Sequence, residues 1–132
     1  MPRNYWQVAA LATLLALMSH SVIRADDPKP SYDGKATEFK GMTFNMKVQG
    51  EVVVLLHCLA GKQVTVTTKG VKQTDVDLYI YDVNRREIAK DTSPGPKCEL
   101  KFTPTHDEKV KVLVHNWGPG SNRVTLEAKV AK

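Results

Sequence analysis

The stretch TDVDLYIYD, Thr74 to Asp82, alternates polar and apolar side chains along its length. Successive side chains of a β-strand point to opposite faces, so this alternation divides the stretch into two faces. One face carries three aliphatic residues: Val76, Leu78 and Ile80. The other face carries two carboxylates and two tyrosines: Asp75, Asp77, Tyr79 and Tyr81. The stretch therefore predicts a strand with one face on a hydrophobic core and the other toward solvent.

Similar short segments recur along the chain, separated by turn-rich stretches, and none has the 3.6-residue period of a helix. The predicted strands are residues 43–49, 52–58, 64–68, 76–82, 87–90, 98–103, 109–115 and 123–130. Seven or eight short strands at roughly ten-residue spacing predict an all-β fold. We expect a single antiparallel β-sandwich with jelly-roll or Greek-key-like connections.

Residues 1–25 have the layout of a secretory signal peptide, in which Arg3 precedes an apolar run. The run, Val8 to Met18, is about 11 residues long and so falls short of the ~18 residues that span a bilayer. We predict cleavage after Ala25, a leader without regular structure over residues 26–41, and a sandwich domain over residues 42–132. Export places the protein in the periplasm or outside the cell, with no transmembrane segment after cleavage.

The charge balance argues against a nucleic-acid partner. The sequence has 19 basic and 14 acidic residues, and removal of Arg3 and Arg24 with the signal peptide leaves a net charge of about +3. This small excess is spread along the chain, without the focused basic surface that nucleic-acid binding requires. The remaining residues, about 107, suffice for one domain with one core.

Cys58 and Cys98 are the two cysteines of the sequence. In an exported chain, an isolated pair without metal-ligand spacing favours a disulfide. The bond would close a loop of about 40 residues and stabilise the fold by roughly 4 kcal/mol. Two free buried thiols are the alternative. A redox-active pair is not expected, because the Cys-x-x-Cys spacing is absent.

Three segments carry a resemblance to a known family. AGKQVTVTT (Ala60–Thr68) has the form A-G-x-x-V-T-V, and DVDLYIYD (Asp75–Asp82) has the form D-x-D-L-Y-x-x-D. KFTPTHDEKVKVLV (Lys101–Val114) combines a phenylalanine-led strand, a loop and an alternating strand. Their order resembles the bacterial pre-peptidase C-terminal domain family, small β-sandwiches attached to secreted peptidases and other exported proteins.

The resemblance covers about residues 44–130 and implies a β-sandwich in a stand-alone, divergent copy without a peptidase domain. Arg85 stands where the family's turn usually has glycine. Some members of the family bind calcium, so the resemblance also raises calcium as a cofactor. Because one fold supports many functions, the resemblance informs the fold more than the activity.

Three carboxylates are the candidate calcium ligands. Asp75 and Asp77 lie ~7 Å apart along the predicted strand, and Asp82 is the third candidate. Calcium takes roughly six to eight oxygens, so loop carbonyls or water would have to complete the site. The alternative is that the carboxylates accept hydrogen bonds from backbone N–H groups of neighbouring loops.

The loop HNWGPGSN, His115 to Asn122, offers a candidate contact residue. Trp117 is followed by Gly118, Pro119 and Gly120, a stiff turn that suits an outward-facing indole. An exposed tryptophan is a common contact for a sugar ring or a protein partner. The alternative is that Trp117 folds back as a lid over the end of the core.

No motif of enzyme chemistry appears in the sequence. His57, His106 and His115 lack the spacing of zinc ligands, and no Gly-x-Ser-x-Gly segment marks a nucleophilic serine. Cys58 lies in an apolar strand, which is a poor setting for a reactive thiolate. We therefore expect a protein that is not an enzyme.

The sequence predicts an exported, non-catalytic module that binds or associates with a protein or an extracellular polysaccharide. The alternative is a small secreted hydrolase or enzyme inhibitor whose site assembles only in the fold. An enzyme would place His57 or His115 beside an acid in a concave site. A binding module would present a flat face carrying Trp117, or Tyr79 and Tyr81.

Overall fold

The computed structural model describes residues 28–132, which form nine strands and one 3-10 turn, Ala36–Glu38. The strands are β1 (Tyr32–Lys35), β2 (Met42–Met46), β3 (Glu51–Cys58), β4 (Val64–Lys69), β5 (Asp75–Tyr81), β6 (Glu87–Asp91), β7 (Lys97–Phe102), β8 (Glu108–Gly118) and β9 (Asn122–Val130). They form a five-stranded sheet, β1-β3-β8-β5-β6, and a four-stranded sheet, β2-β9-β4-β7.

The predicted all-β sandwich is confirmed, and each predicted strand overlaps an observed one. Two details differ from the prediction. The described residues contain nine strands rather than seven or eight, and β1 pairs with β3 in parallel while the other pairs are antiparallel. No helix long and apolar enough to cross a membrane occurs between residues 28 and 132. The predicted signal peptide, residues 1–25, lies outside the described range.

The prediction that residues 26–41 lack regular structure is wrong for the second half of that segment. Tyr32–Lys35 pairs with β3, and the 3-10 turn follows it. Tyr32 packs edge-on against Phe39, with ring centroids 4.9 Å apart, and Phe39 is buried in the core. The strand escaped prediction because it has four residues and lies at a sheet edge, so it shows almost no alternation.

Strand β5 holds the position that its sequence predicts. It lies between β8 and β6, and Val76, Leu78 and Ile80 are fully buried in the core between the sheets. Their main neighbours on β8 are Val112 and Val114, which are also fully buried. The polar side chains of β5 therefore lie on the outer face of the five-stranded sheet.

The turn from β5 to β6 contains a residue with positive φ that is not glycine. Arg85 has φ +62°, in the left-handed region that favours glycine. Asp82 stabilises this turn, because its Oδ1 accepts hydrogen bonds from the backbone N–H groups of Asn84 (2.8 Å) and Arg86 (2.9 Å). These two hydrogen bonds stabilise a turn that holds a residue other than glycine in this region.

The predicted disulfide is wrong, because Cys58 and Cys98 are both free and buried. Cys58 shares one end of the sandwich with Val64, which pairs with Phe102 at the end of β7. Cys98 lies four residues earlier on β7, ~13 Å along the strand. A disulfide requires Cα atoms within about 7 Å, so the sandwich places the two thiols too far apart.

Both thiols are expected to react slowly with alkylating reagents. Burial is the main cause that raises the pKa of each to about 11, from an ordinary value of 9.0. Because the thiolate is the reactive form, alkylation of the native protein at pH 8 should be about 100-fold slower than that of an ordinary thiol. The measurement is the mass gain with iodoacetamide over time, with a urea-unfolded sample as the control that takes up two labels. An intact mass ~2 Da lower without reductant than with it would contradict the free thiols.

Candidate functional site

An aromatic cluster lies on the outer face of the five-stranded sheet, across β5 and β8. We define it as four residues: Tyr79, Tyr81, His115 and Trp117. The antiparallel register aligns Asp77 of β5 with His115 of β8, which brings the Asp77 carboxylate beside Trp117. The rings form two pairs. Tyr79 stacks on Tyr81, with centroids 6.1 Å apart and planes 16° from parallel, and His115 packs against Trp117 at 4.1 Å.

Trp117 is a surface residue with a fixed orientation. Its indole Nε1 donates a hydrogen bond to Asp77 Oδ2 at 2.7 Å, and His115 packs against the ring. Even so, 47% of Trp117 is exposed to solvent. The indole therefore lies on the outer face of the sheet and does not form a lid over the end of the core.

Asp77 is the polar centre of the cluster and is 7% exposed. The same Oδ2 atom that accepts from Trp117 also accepts from the Tyr79 hydroxyl at 3.0 Å. Burial and this hydrogen bond raise the pKa of Tyr79 to about 12. The hydroxyl therefore remains protonated at neutral pH and keeps donating to Asp77.

His115 links the cluster to the chain that enters β3. Its Nδ1 donates to Glu51 Oε1 at 3.2 Å, and its Nε2 lies 3.1 Å from the side-chain oxygen of Gln49. Glu51 and His115 are register partners across β3 and β8. These contacts place the exposed side chains of Glu51 and Gln49 against His115, which packs on Trp117.

Asn116 fixes the backbone beneath Trp117, although sequence reasoning missed it. The side chain is fully buried, and its Nδ2 lies within 3.2 Å of three carbonyl oxygens, those of Met46, Lys47 and Gly120. Its Oδ1 accepts from the backbone N–H of Gly118 at 3.0 Å. The sequence does contain a signal for this role. The inward-facing positions of β8 continue from Val114 to Asn116, and a polar side chain buried there must find hydrogen-bond partners inside the protein.

The candidate calcium ligands do not converge. Asp82 lies at the opposite end of β5 from Asp75, ~23 Å away by the strand rise, and holds the β5–β6 turn. Asp75 Oδ1 accepts from the backbone N–H of Gly95 at 3.3 Å, and Asp77 accepts from Tyr79 and Trp117. Between residues 28 and 132, no group of three or more His, Cys, Asp or Glu side chains comes together as a metal site.

Both histidines named for the enzyme alternative lie beside an acid. His115 contacts Glu51 in the cluster, and His57 Nε2 lies 2.7 Å from Asp33 Oδ1. That hydrogen bond is the main cause that lowers the pKa of Asp33, and Lys109 contributes as well.

His57 lines a cavity of about 490 Å³ at the end of the sandwich away from Trp117. Cys58 lines it too, but neighbouring residues of a strand face opposite sides, so His57 and Cys58 do not form a nucleophile–base pair. The Cys58 thiol donates instead to the carbonyl of Leu56, and its raised pKa keeps it neutral. The pair formed by His57 and Asp33 therefore lacks the nucleophile that an acyl-transfer site needs.

At the level of sequence, no protein-family profile and no curated protein matches the chain. Among solved structures, the same sandwich occurs in the pre-peptidase C-terminal domain of collagenase from Bacillus anthracis. The TM-score is 0.53 at 11% identity, over 79% of this chain and 100% of that domain. The chain resembles a pre-peptidase C-terminal domain in fold. The resemblance predicted from the motif strands is thereby confirmed for the fold.

Two further solved structures are similar to this chain. CorA, a surface-associated copper-binding protein of Methylomicrobium album BG8, has a TM-score of 0.57 at 10% identity, over 77% of this chain and 98% of that one. PliG, a periplasmic inhibitor of g-type lysozyme from Aeromonas hydrophila, has a TM-score of 0.48 at 9% identity, over 76% and 100%. At these identities the likeness concerns the fold alone, so the function has to be argued from the site.

Proposed function

We propose that this protein is an exported, non-catalytic binding module that attaches to an extracellular polymer through the aromatic cluster. The observation that carries the proposal is Trp117, which is half exposed while Asp77 holds its indole N–H. An exposed aromatic ring held in one orientation loses little conformational entropy on binding. Buried or half-buried aromatic anchors of this kind dominate the energy of many binding surfaces.

The surroundings of Trp117 support a binding role over a catalytic one. The cluster lies on the outer face of a sheet, and the concave site at the other end of the sandwich lacks a paired nucleophile. One structural relative, CorA, is a surface-associated copper-binding protein. Export of this chain rests on the layout of residues 1–25 and is part of the proposal.

The test is retention on envelope material. The full-length chain is expressed in a bacterial host, the exported product is purified, and its mass is measured to locate the cleavage. We expect a mature chain that begins after Ala25 and that is retained by the insoluble envelope fraction of the host. Trp117→Ala should abolish this retention.

The matched control is Leu59→Ala, which also removes a large side chain that is 53% exposed. Leu59 follows the last residue of β3, whereas Trp117 lies near the first residue of that strand. This variant should be retained like the unchanged protein. Equal retention of Trp117→Ala and the unchanged protein would exclude the cluster as the contact surface. A product that stays in the cytoplasm with residues 1–25 attached would exclude export.

Stabilisation by calcium is a separate hypothesis, and we expect calcium to leave the melting temperature unchanged. Asp75, Asp77 and Asp82 already accept hydrogen bonds from the protein, and a calcium ion would have to displace these donors. A ligand at 100 times its Kd stabilises the native state by about 2.7 kcal/mol, which would raise the melting temperature by several degrees. The measurement is a thermal melt in calcium and in chelator. A shift that Asp75→Asn abolishes would establish a calcium site at β5.

A further inference from the structure

We propose that the polymer is a β-1,4-linked polysaccharide, and that one of its pyranose rings stacks on the exposed side of Trp117. This inference rests on the proposed function and names the ligand of the same site. The occupant is a neutral sugar chain whose hydroxyl groups are equatorial. Such a ring has flat faces of C–H bonds and a rim of hydroxyl groups.

The bonding of Trp117 favours stacking over hydrogen bonding. The indole N–H is already donated to Asp77 at 2.7 Å, so the ring has no polar group left to offer a ligand. What it offers is its face, which carries the negative part of the aromatic quadrupole and attracts the slightly positive hydrogens of C–H bonds. The axial C–H bonds of an equatorially substituted pyranose match this face.

The exposed polar side chains beside Trp117 match the hydroxyl rim. Gln49 and Glu51 are exposed and reach His115, which packs against the indole. An amide and a carboxylate can together donate to and accept from hydroxyl groups. The aromatic face of Trp117 and the neighbouring polar groups together supply both kinds of contact that a sugar ring can make.

The second ring pair extends the surface along β5. Tyr81 lies four residues beyond Asp77, ~13 Å along the strand, which is longer than one sugar ring. A linear chain of several rings could therefore contact Trp117 at one end and Tyr81 at the other. This length favours a polymer over a monosaccharide.

A proline-rich peptide is the main competing occupant, since such peptides bind between aromatic side chains. That mode needs an open groove between rings. Here the Tyr79 and Tyr81 rings are nearly parallel with centroids 6.1 Å apart, and His115 lies against Trp117. Within each pair the two rings pack against each other, so no open groove lies between them for a peptide. The surface offers only the outer faces of the rings.

The experiment titrates cellohexaose and chitohexaose into the full chain carrying Trp6→Phe. The sequence has two tryptophans, so Trp117 is then the sole indole, and its fluorescence reports the site directly. We expect a saturable change with at least one of the two hexasaccharides. Calorimetry on the variants should show that Trp117→Ala weakens binding by about 30-fold or more, as for a hot-spot aromatic residue.

Two variants separate this inference from calcium binding and from misfolding. Asp75→Asn removes a candidate calcium ligand that lies outside the aromatic cluster, so saccharide affinity should stay within about 3-fold while a calcium site would be lost. Leu59→Ala should bind like the unchanged protein. Each variant is melted first, so that only folded protein is compared.

The outcomes distinguish the two proposals. If neither hexasaccharide binds while envelope retention still depends on Trp117, the polysaccharide inference is wrong and the binding module stands. If a proline hexapeptide binds and the sugars do not, the ligand is a peptide. If neither hexasaccharide binds and envelope retention is independent of Trp117, both proposals are wrong.

Discussion

Replacement of Asn116 by leucine is expected to destabilise the protein by at least about 3 kcal/mol and lower its melting temperature by roughly 15 °C. Leucine has a similar shape but cannot donate, so the carbonyls of Met46 and Gly120 lose the amide that now serves them, while the Lys47 carbonyl keeps the backbone N–H of Gly50. The backbone N–H of Gly118 loses its acceptor as well. Each polar group left buried without a partner costs about 1–3 kcal/mol.

The matched control for this prediction is Asn45→Leu, because Asn45 is an exposed asparagine on β2. A surface substitution of this kind changes stability by about 0.5 kcal/mol or less. Thermal melts of both variants, followed by circular dichroism, provide the measurement. If Asn116→Leu melts within about 3 °C of the unchanged protein, Asn116 does not hold this end of the sandwich.

The second large effect is expected for Leu78→Ala, in the middle of TDVDLYIYD. Leu78 is fully buried between the sheets, and its truncation removes apolar contacts and leaves a cavity. Substitutions of this type cost about 2–5 kcal/mol, and we expect about 3 kcal/mol here. Urea denaturation should show a lower midpoint with an unchanged m-value, because the surface exposed on unfolding stays nearly the same.

The control for Leu78→Ala is Val83→Ala, two residues beyond the end of β5, where the side chain is 39% exposed. Its midpoint should differ little from that of the unchanged protein. Equal effects of the two variants would mean that the alternation of this stretch does not identify the core face. A lower m-value for Leu78→Ala would instead point to a change in the unfolded or native ensemble.

Much of the fold could be predicted because alternation is a local property. In β5 the period of two by itself separates Leu78, which faces the core, from Tyr79, which faces outward. The same pattern defines β8 from Lys109 onward. Strand β1 could not be found in this way, because its four residues depend on the neighbouring edge of β3 for their structure.

The candidate site was predictable as a set of residues but not as an arrangement. Trp117 and the tyrosines were identified by type and position. The sequence does not reveal the hydrogen bond between Asp77 and Trp117, because 40 residues separate them. Only the register of β5 with β8 brings the two side chains together. The disulfide prediction was wrong for a related reason, since pairing of Cys58 with Cys98 depends on which ends of β3 and β7 meet.

The free thiols have a practical consequence for how the protein can be handled. Because Cys58 and Cys98 are free, no disulfide links the two sheets, and formation of the native state requires neither an oxidant nor a disulfide isomerase. Residues 28–132 should reach the same structure in the reducing cytoplasm of an expression host as in an oxidising compartment. Reductant can therefore be kept in every buffer without loss of the fold.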